Sequence, residues 1–291
     1  MVISMYIKEF LIDLEYVSGY SNNTVLSYKN DLTIFNDFIK KDLTKVSPDD
    51  IRKFIKANAS KKDKTLARYI TTLRMFYDFL EKRGYLNNNP TKSISLPKLD
   101  KHLPDVLTIE EVSRLLDIKP ESNYDFRNKC ILELLYSTGL RITELVKLTL
   151  KDIYLDDDLI KVMGKGSKER VLPLNDAASF YLKKYINEIR PKMIKKTNTE
   201  NLFLNNHGKG LTRQAVFKMI KSRALEVNIK KNISPHTLRH SFATHLMIEG
   251  ADIRFIQELL GHSDIQTTQI YTHIANQTLK NNYEEYNPRD N

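Results

Sequence analysis

Apolar side chains recur every three or four positions through most of the first ninety residues, and this spacing places them on one face of a helix. It predicts one helix over 21–38 and another over 65–80. Ser47 followed by Pro48 predicts a further helix start, because serine caps the free N–H groups of a first turn and proline fits its first position. Together with residues 5–17, these segments predict a small unit of four helices.

The regular spacing stops near Pro90, and residues 93–104 show no periodicity and end in a second proline. We expect an interdomain linker over 93–104. It divides the chain into an N-terminal domain over 1–92 and a C-terminal domain over 105–291, whose polar stretch from about residue 276 forms a tail.

The second domain is predicted to be mostly helical, with one β-rich interruption. Thr108 and Glu111 have the spacing of a capping box, which marks a helix start. Residues 159–163 and 168–174 are short β-prone runs on either side of a glycine-containing turn, as in a hairpin. The predicted fold class is therefore mainly α, with two domains and a small antiparallel β-sheet in the second.

Net charge indicates what kind of partner the protein binds, and cysteine content indicates the cellular compartment. The chain has 46 Lys and Arg against 36 Asp and Glu, a formal net charge of +10, so an anionic polymer or surface is the expected partner. Cys130 is the single cysteine, which excludes an intramolecular disulfide and a cysteine zinc site and fits a reducing, cytoplasmic setting. No apolar stretch approaches the roughly 20 residues of a membrane span, and the N-terminus lacks a signal-peptide pattern, so we expect a soluble, unexported protein.

Basic residues cluster at a predicted helix start in the last third of the chain. Ser234 and Pro235 predict the cap and the first turn, and His236 and Arg239, three positions apart, share a face. A helix N-terminus carries partial positive charge and free N–H groups, so this cluster suits a phosphate. A surface helix that merely begins with basic residues is the alternative.

Two other basic residues occupy predicted turns. Arg141 follows a predicted helix end and lies between apolar residues, where an unpaired guanidinium would be costly to bury, so either Glu144 or an anion pairs with it. Lys165 lies at the tip of the predicted hairpin between Gly164 and Gly166, which permit close approach of the backbone to a ligand. The spacing of a P-loop is absent.

His262 and Tyr271 follow a predicted helix that ends at Gly261. A single tyrosine among 15 is normally a packing or surface residue. Considered together, however, these residue types can transfer a phosphoryl group: arginines bind phosphate oxygens, histidine and lysine move protons, and a tyrosine can attack. No acidic residues accompany them as a magnesium site, so no metal or other cofactor is expected.

Five motifs follow one another along the second domain: Thr-Gly-Leu-Arg141-Ile-Thr-Glu-Leu, Gly-Lys165-Gly-Ser-Lys-Glu-Arg, His236-Thr-Leu-Arg239-His-Ser-Phe-Ala-Thr-His, Leu-Leu-Gly-His262-Ser and Thr-Thr-Gln-Ile-Tyr271-Thr-His. In this order they resemble the motifs of tyrosine recombinases of the Xer type, integrase-like enzymes that break and rejoin DNA. The N-terminal pattern Ser21-x-x-Thr24-x-x-x-Tyr28-x-x-Asp31-Leu32-x-x-Phe35 is similar to that of the family's core-binding domain. The resemblance covers nearly the whole chain.

The resemblance implies a covalent mechanism. Tyr271 would attack a backbone phosphate, giving a 3'-phosphotyrosyl link and a free 5'-hydroxyl. Lys165 would protonate the departing 5'-oxygen, and His236 would be the general acid and base. Because the phosphotyrosine conserves the bond energy, rejoining would need no ATP.

The resemblance also implies how the transition state is stabilised. Arg141 and Arg239 would hold the non-bridging oxygens of the phosphorane, and His262 would add a hydrogen bond to it. Neither role involves a metal ion.

The family's architecture implies a SAM-like four-helix core-binding domain and a catalytic domain that close around duplex DNA. It also implies a homo- or hetero-tetramer on two DNA sites, with the C-terminal tail packed on a neighbouring protomer. The expected location is the nucleoid, and whether a helper protein is needed is left open. Chromosome-dimer resolution, which belongs to chromosome partition and cell division, is the favoured role. Mobile-element or phage integration is the alternative, and a type IB topoisomerase-like relaxing enzyme is the alternative from another class.

Other basic residues have weaker assignments. His236 and His240 lie four positions apart, a spacing that suggests a zinc site, but the intervening glutamate and a third ligand are missing. We therefore interpret His240, His245 and His273 as residues that pack between helices or lie behind the site. For Lys168 and Arg170, phosphate contact and plain solvation stay open. DNA contact is expected, against the alternative of a solvated face, for Lys61, Lys62, Lys64, Arg68 and Arg74.

Overall fold

The computed structural model of this chain describes residues 4–97, 105–164, 169–195 and 199–261. Contacts divide the chain into two units, Met1–His102 and Leu103–Asn291, each with its own hydrophobic core. Within the described residues, no helix is both long and apolar enough to cross a lipid bilayer.

The first unit consists of helices, as the apolar spacing predicts. Hydrogen bonding changes from α-helical to π-helical over Asp13–Val17, so the helix predicted over 5–17 is regular only in its first part. Ser47 and Asp50 form a reciprocal capping box at the third helix. The helices within residues 4–97 are α1 (Met5–Ile12), α2 (Asn22–Ile39), α3 (Pro48–Ala57) and α4 (Asp63–Lys82).

Aromatic rings fill the core of this unit. Phe35 of α2 packs edge to face on Phe54 of α3, with ring centroids 5.0 Å apart, and on Tyr77 of α4 at 6.4 Å. The buried carboxylate of Asp31 accepts a hydrogen bond from Thr72 at 3.0 Å. These contacts join α2 to α3 and to α4, the helix that carries Lys64, Arg68 and Arg74 of the predicted DNA-contacting residues.

The second unit is mainly helical around a small sheet. Its first helix starts at the capping box of Thr108 and Glu111, as predicted. The helices within its described residues are α5 (Ile109–Leu116), α6 (Asn123–Thr138), α7 (Ile142–Leu145), α8 (Asp176–Lys184), α9 (Arg190–Met193), α10 (Arg213–Glu226), α11 (Pro235–Ile248) and α12 (Ile253–Leu260).

The sheet has three antiparallel strands in the order β1 (Ile153–Tyr154), β2 (Leu159–Met163) and β3 (Glu169–Pro173). β2 and β3 are the predicted hairpin arms, in register from Leu159 with Pro173 to Met163 with Glu169. β1 was not predicted, because a two-residue strand is too short to show an alternating pattern.

Helix α6 runs through the centre of the second core, and its last ten residues are all buried. It ends at Gly139, whose φ of +59° is the left-handed conformation expected of a helix-ending glycine. Tyr136 Oη and His245 Nδ1 of α11 are hydrogen-bonded at 2.8 Å. This contact holds α11 beside the turn that leads into Arg141.

Candidate active site

The structure describes half of the six predicted catalytic residues. Arg141, His236 and Arg239 lie within the described residues, as does Arg170. Lys165, Lys168, His262 and Tyr271 lie outside them.

Arg141 is the N-cap of the short helix α7, and Glu144 lies in its first turn. Arg141 Nη1 donates to Glu144 Oε1 at 2.9 Å, and the Arg141 backbone N–H donates to Glu144 Oε2 at 2.8 Å. The pairing with Glu144, one of the two alternatives, is thus present. Because the Arg141 side chain is still 32% exposed, an anion can reach it as well.

Arg239 lies on the buried face of α11. Its Nη1 donates to the carbonyl oxygen of Gly139 at 2.6 Å. Burial, followed by the positive charge of nearby Arg141, lowers the pKa of Arg239 to about 10. The guanidinium therefore stays charged at neutral pH, and it is fixed beside the turn that carries Arg141.

Arg170 is not a solvated surface residue, so that alternative is wrong. Its Nη1 and Nη2 donate to the two oxygens of Glu144 at 3.0 and 2.9 Å. The Arg170 side chain is only 13% exposed and that of Glu144 only 4%. The short strand β3 therefore delivers a third arginine to the site.

The carboxyl end of α12 contacts all three arginines. The last carbonyl oxygens of a helix have no partner within it and carry partial negative charge. Here Arg170 Nε donates to the carbonyl oxygen of residue 259 at 3.0 Å. Arg239 Nη2 donates to that of residue 260 at 2.5 Å, and Arg141 Nη2 donates to that of residue 261 at 3.3 Å. The helix end thus positions three guanidinium groups next to one another.

Glu144 balances part of this charge. Burial alone would raise the pKa of Glu144, but hydrogen bonds and charge from Arg170, together with hydrogen bonds from Arg141, lower it overall. Among the described residues of the site, one carboxylate therefore faces three guanidinium groups, which leaves two positive charges in excess. Such a site favours an anion with several oxygens, such as a phosphate.

His236 lies in the first turn of α11, after the cap formed by Ser234. Its side chain is exposed, as a proton-transferring group needs to be. It borders a cavity of about 340 Å³ between the start of α11 and helix α10. Sequence reasoning missed this cavity, whose lining is Ile142, Arg213, Gln214, Phe217, Ser234, Pro235 and His236.

The other histidines differ in their surroundings. His245 is buried and hydrogen-bonds to Tyr136 and to the carbonyl oxygen of Leu107 at 2.8 Å each, which agrees with a packing role. His240 is exposed, so the packing interpretation is wrong for that residue. Among the described residues, no three His, Cys, Asp or Glu side chains are arranged to hold a metal ion. His273 lies outside the described residues.

The lysines of the predicted DNA-contacting run lie at the start of α4. Lys61, Lys62 and Lys64 are exposed, and within the described part of the chain none of them forms an ion pair. Arg68 and Arg74, farther along α4, have intramolecular partners: Arg68 pairs with Asp31 at 3.0 Å, and Arg74 donates to the carbonyl oxygen of Ile94 at 2.5 Å.

The chain matches known protein families and relatives over most of its length. Residues 105–278 match the model of the phage integrase family, and residues 7–84 match that of the phage integrase N-terminal SAM-like domain. The chain is 47% identical to tyrosine recombinase XerD of Oceanobacillus iheyensis and 45% identical to tyrosine recombinase XerD of Staphylococcus saprophyticus. Each alignment covers 97% of this chain and 98% of the relative.

Two solved structures have a fold similar to that of this chain. The crystal structure of XerA recombinase is 28% identical, with a TM-score of 0.51 over 98% of this chain and 100% of that chain. The XerH site-specific recombinase, bound to palindromic difH substrate in a post-cleavage complex, is 21% identical, with a TM-score of 0.71 over 98% of this chain and 92% of that one.

Proposed function

The chain belongs to the phage integrase family, and from this premise we propose that it is an Xer-type site-specific recombinase that cleaves and rejoins duplex DNA. The observation that carries the proposal is the anchoring of Arg141 and Arg239 side by side on the end of α12, with the exposed His236 in the same unit. Two fixed guanidinium groups suit the two non-bridging oxygens of one phosphodiester.

The proposed reaction is an in-line exchange of one phosphoester for another. The Tyr271 hydroxyl loses its proton to His236 and its oxygen forms a bond to phosphorus, while the bond from phosphorus to the 5'-oxygen breaks. Lys165 gives a proton to that oxygen, so a neutral 5'-hydroxyl leaves. Attack by a 5'-hydroxyl of a partner strand reverses these steps and releases the tyrosine.

Stabilisation of the transition state falls to the side chains in this proposal. Arg141 and Arg239 bind the two non-bridging oxygens, and His262 adds a hydrogen bond. The two positive charges in excess over Glu144 offset the developing negative charge, so the reaction requires no metal ion. It requires no ATP, because the phosphotyrosine conserves the energy of the broken phosphoester.

The biological role is proposed from the named relatives. Two relatives that align over nearly the full chain are called tyrosine recombinase XerD, which favours resolution of chromosome dimers over integration of mobile DNA. The protein then acts at the nucleoid as a tetramer on two DNA sites, with the tail after residue 276 packed on a neighbouring protomer. A recombinase bound to difH DNA shares its fold.

Trapping of the covalent complex tests the proposed chemistry. A nicked suicide duplex that carries the recombination site is incubated with the wild-type protein in excess EDTA, and the products are separated on a denaturing gel. We expect a protein-linked strand with the wild type and none with Tyr271→Phe, which removes only the attacking oxygen, while both proteins bind the duplex equally.

Three outcomes would contradict parts of this proposal. A covalent complex with Tyr271→Phe would assign the attack to another residue. Activity lost in EDTA and restored by one divalent ion would overturn the metal-free mechanism. Relaxation of supercoiled DNA by a monomer, without strand exchange between two sites, would indicate a topoisomerase.

A further inference from the structure

Arg170 makes three hydrogen bonds that join separate elements of the second unit. Two of them go to the two oxygens of Glu144 in α7, at 3.0 and 2.9 Å, and the third goes to the Leu259 carbonyl oxygen in α12, at 3.0 Å. Only a planar guanidinium can make such a paired contact with a carboxylate. Arg170 therefore connects β3 with both elements that hold Arg141.

Arg141 shares Glu144 with Arg170 and binds another carbonyl oxygen at the same end of α12. The carboxylate of Glu144 accepts from the side chain and the backbone N–H of Arg141, and the carbonyl oxygen of Gly261 accepts from Arg141 Nη2. A Cβ atom at Gly261 would lie only 3.0 Å from Arg170 Nη1, so the guanidinium of Arg170 packs directly against this glycine. Loss of Arg170 would free both supports of Arg141 at once.

Arg170 itself has little left to offer a phosphate. Both of its terminal nitrogens donate to the carboxylate of Glu144, whose negative charge offsets that of the guanidinium, whereas the terminal nitrogens of Arg239 donate to neutral carbonyl oxygens. This arrangement separates the two residues by role, although both are arginines in the same cluster.

We propose that Arg170 is a positioning residue for DNA cleavage: it fixes Glu144 and the end of α12, and through them the guanidinium of Arg141, without binding the phosphate. This inference rests on the proposed function, since it concerns the rate of that cleavage. It predicts that Arg170 affects the rate constant for cleavage of bound DNA and leaves the DNA-binding contacts intact.

The first experiment compares Arg170→Lys with the wild type in single-turnover cleavage of the suicide duplex. Lysine keeps the charge but cannot make the paired contact. We expect the rate constant at saturating protein to fall on the order of 100-fold, the effect of misplacing a catalytic group by about 1 Å. The half-saturating protein concentration, and the slope of log affinity against log salt, should stay as in the wild type.

Arg223→Lys is the matched control. Arg223 is 19% exposed, donates to the carbonyl oxygens of Arg114 and Leu115 in α5 at 3.2 and 3.3 Å, and pairs with Glu226. It thus also binds a glutamate and helix carbonyl oxygens, but within the described part of the chain its hydrogen bonds and ion pair reach none of the site residues. The same loss of contacts there should leave the cleavage rate within about two-fold of the wild type.

A double-mutant cycle with Arg141→Ala shows whether Arg170 acts through Arg141. If it does, Arg170→Lys slows cleavage strongly in the wild type and has little further effect when Arg141 is already alanine. A merely structural role would give equal effects in both backgrounds. Should Arg170→Lys fail to fold, as judged by its thermal unfolding, Glu144→Gln takes its place, with the same expected rate loss and the same lack of additivity.

The outcomes distinguish a failure of this inference from a failure of the proposed function. If the wild type forms no covalent complex, the proposed function and this inference fail together. If the wild type cleaves, three results overturn the inference alone: a rate for Arg170→Lys equal to the wild type, additive effects in the cycle, or a raised half-saturating protein concentration, which marks a lost contact with DNA.

Discussion

At the scale of single residues, the site separates the arginines that we propose contact the phosphate from the groups that support them. Arg239 is largely buried, and its contacts with Gly139 and the end of α12 use only one N–H of each terminal nitrogen. Arg141 keeps a third of its side chain exposed. A buried arginine that stays charged because its pKa is still about 10 provides a fixed positive charge for the proposed phosphate contact.

Lys165 is predicted to protonate the leaving oxygen, and the substrate itself can test this role. Lys165→Ala should cleave ordinary DNA slowly, because a 5'-alkoxide is a poor leaving group. Replacement of the bridging 5'-oxygen by sulfur gives a leaving group of much lower pKa that needs no proton donor. The sulfur-containing duplex should therefore restore the cleavage rate of Lys165→Ala, measured on the denaturing gel.

Arg239→Ala is the control for that experiment. It is expected to lose on the order of 100-fold to 1000-fold in rate by removing a transition-state donor, and sulfur should restore little of it. Equal restoration in both variants, or none in Lys165→Ala, would instead assign Lys165 to phosphate binding and make Lys168 the next candidate donor.

At the scale of elements, local signals could be predicted and distant pairings could not. The helix start at Ser47 and Pro48 and the capping box of Thr108 with Glu111 are visible in the sequence because their members lie at most three positions apart. The bond between Glu144 and Arg170 joins residues 26 positions apart, and no local pattern shows which acid a buried arginine will meet. For that reason the sequence pointed to the arginines of the motifs but left the partners of Arg170 open.

The turn after α6 links the fold to the site, and Gly139 is its critical residue. A Cβ there would lie 2.6 Å from Cδ1 of Phe242, and an alanine would also be held at a φ of +59°. The backbone strain costs about 1 kcal/mol and overpacking adds about 1 to 3 kcal/mol, so Gly139→Ala should lower the free energy of unfolding by about 2 to 4 kcal/mol. Chemical unfolding of the full-length protein measures this change.

Gly84→Ala is the matched control for the strained backbone. Gly84 has a φ of +77° but no atom within 4 Å of a Cβ, so only the backbone cost of about 1 kcal/mol applies. Each variant's free energy of unfolding is measured from the unfolding transition of the unit that contains the substitution. If the two variants lose the same free energy of unfolding, the contact with Phe242 is not what fixes this turn.

At the scale of the whole molecule, the net charge of +10 has to be assigned to particular surfaces. The three arginines of the candidate site, Arg141, Arg170 and Arg239, are bound to a carboxylate or to carbonyl oxygens. The exposed lysines at the start of α4, Lys61, Lys62 and Lys64, have no such partner among the described residues. They are therefore able to release counterions from DNA.

The salt dependence of DNA binding tests whether these lysines contact the backbone. Each phosphate contact adds about 0.9 to the slope of log affinity against log salt, so replacing all three lysines by glutamine should reduce the slope by up to about 2.7. Fluorescence anisotropy with a labelled duplex, at salt concentrations from about 50 to 200 mM, gives the slope. Replacement of the exposed Lys45, Lys53 and Lys56 by glutamine removes the same charge from the same unit. If both triple variants change the slope equally, net charge alone accounts for the effect, and the start of α4 is a solvated face.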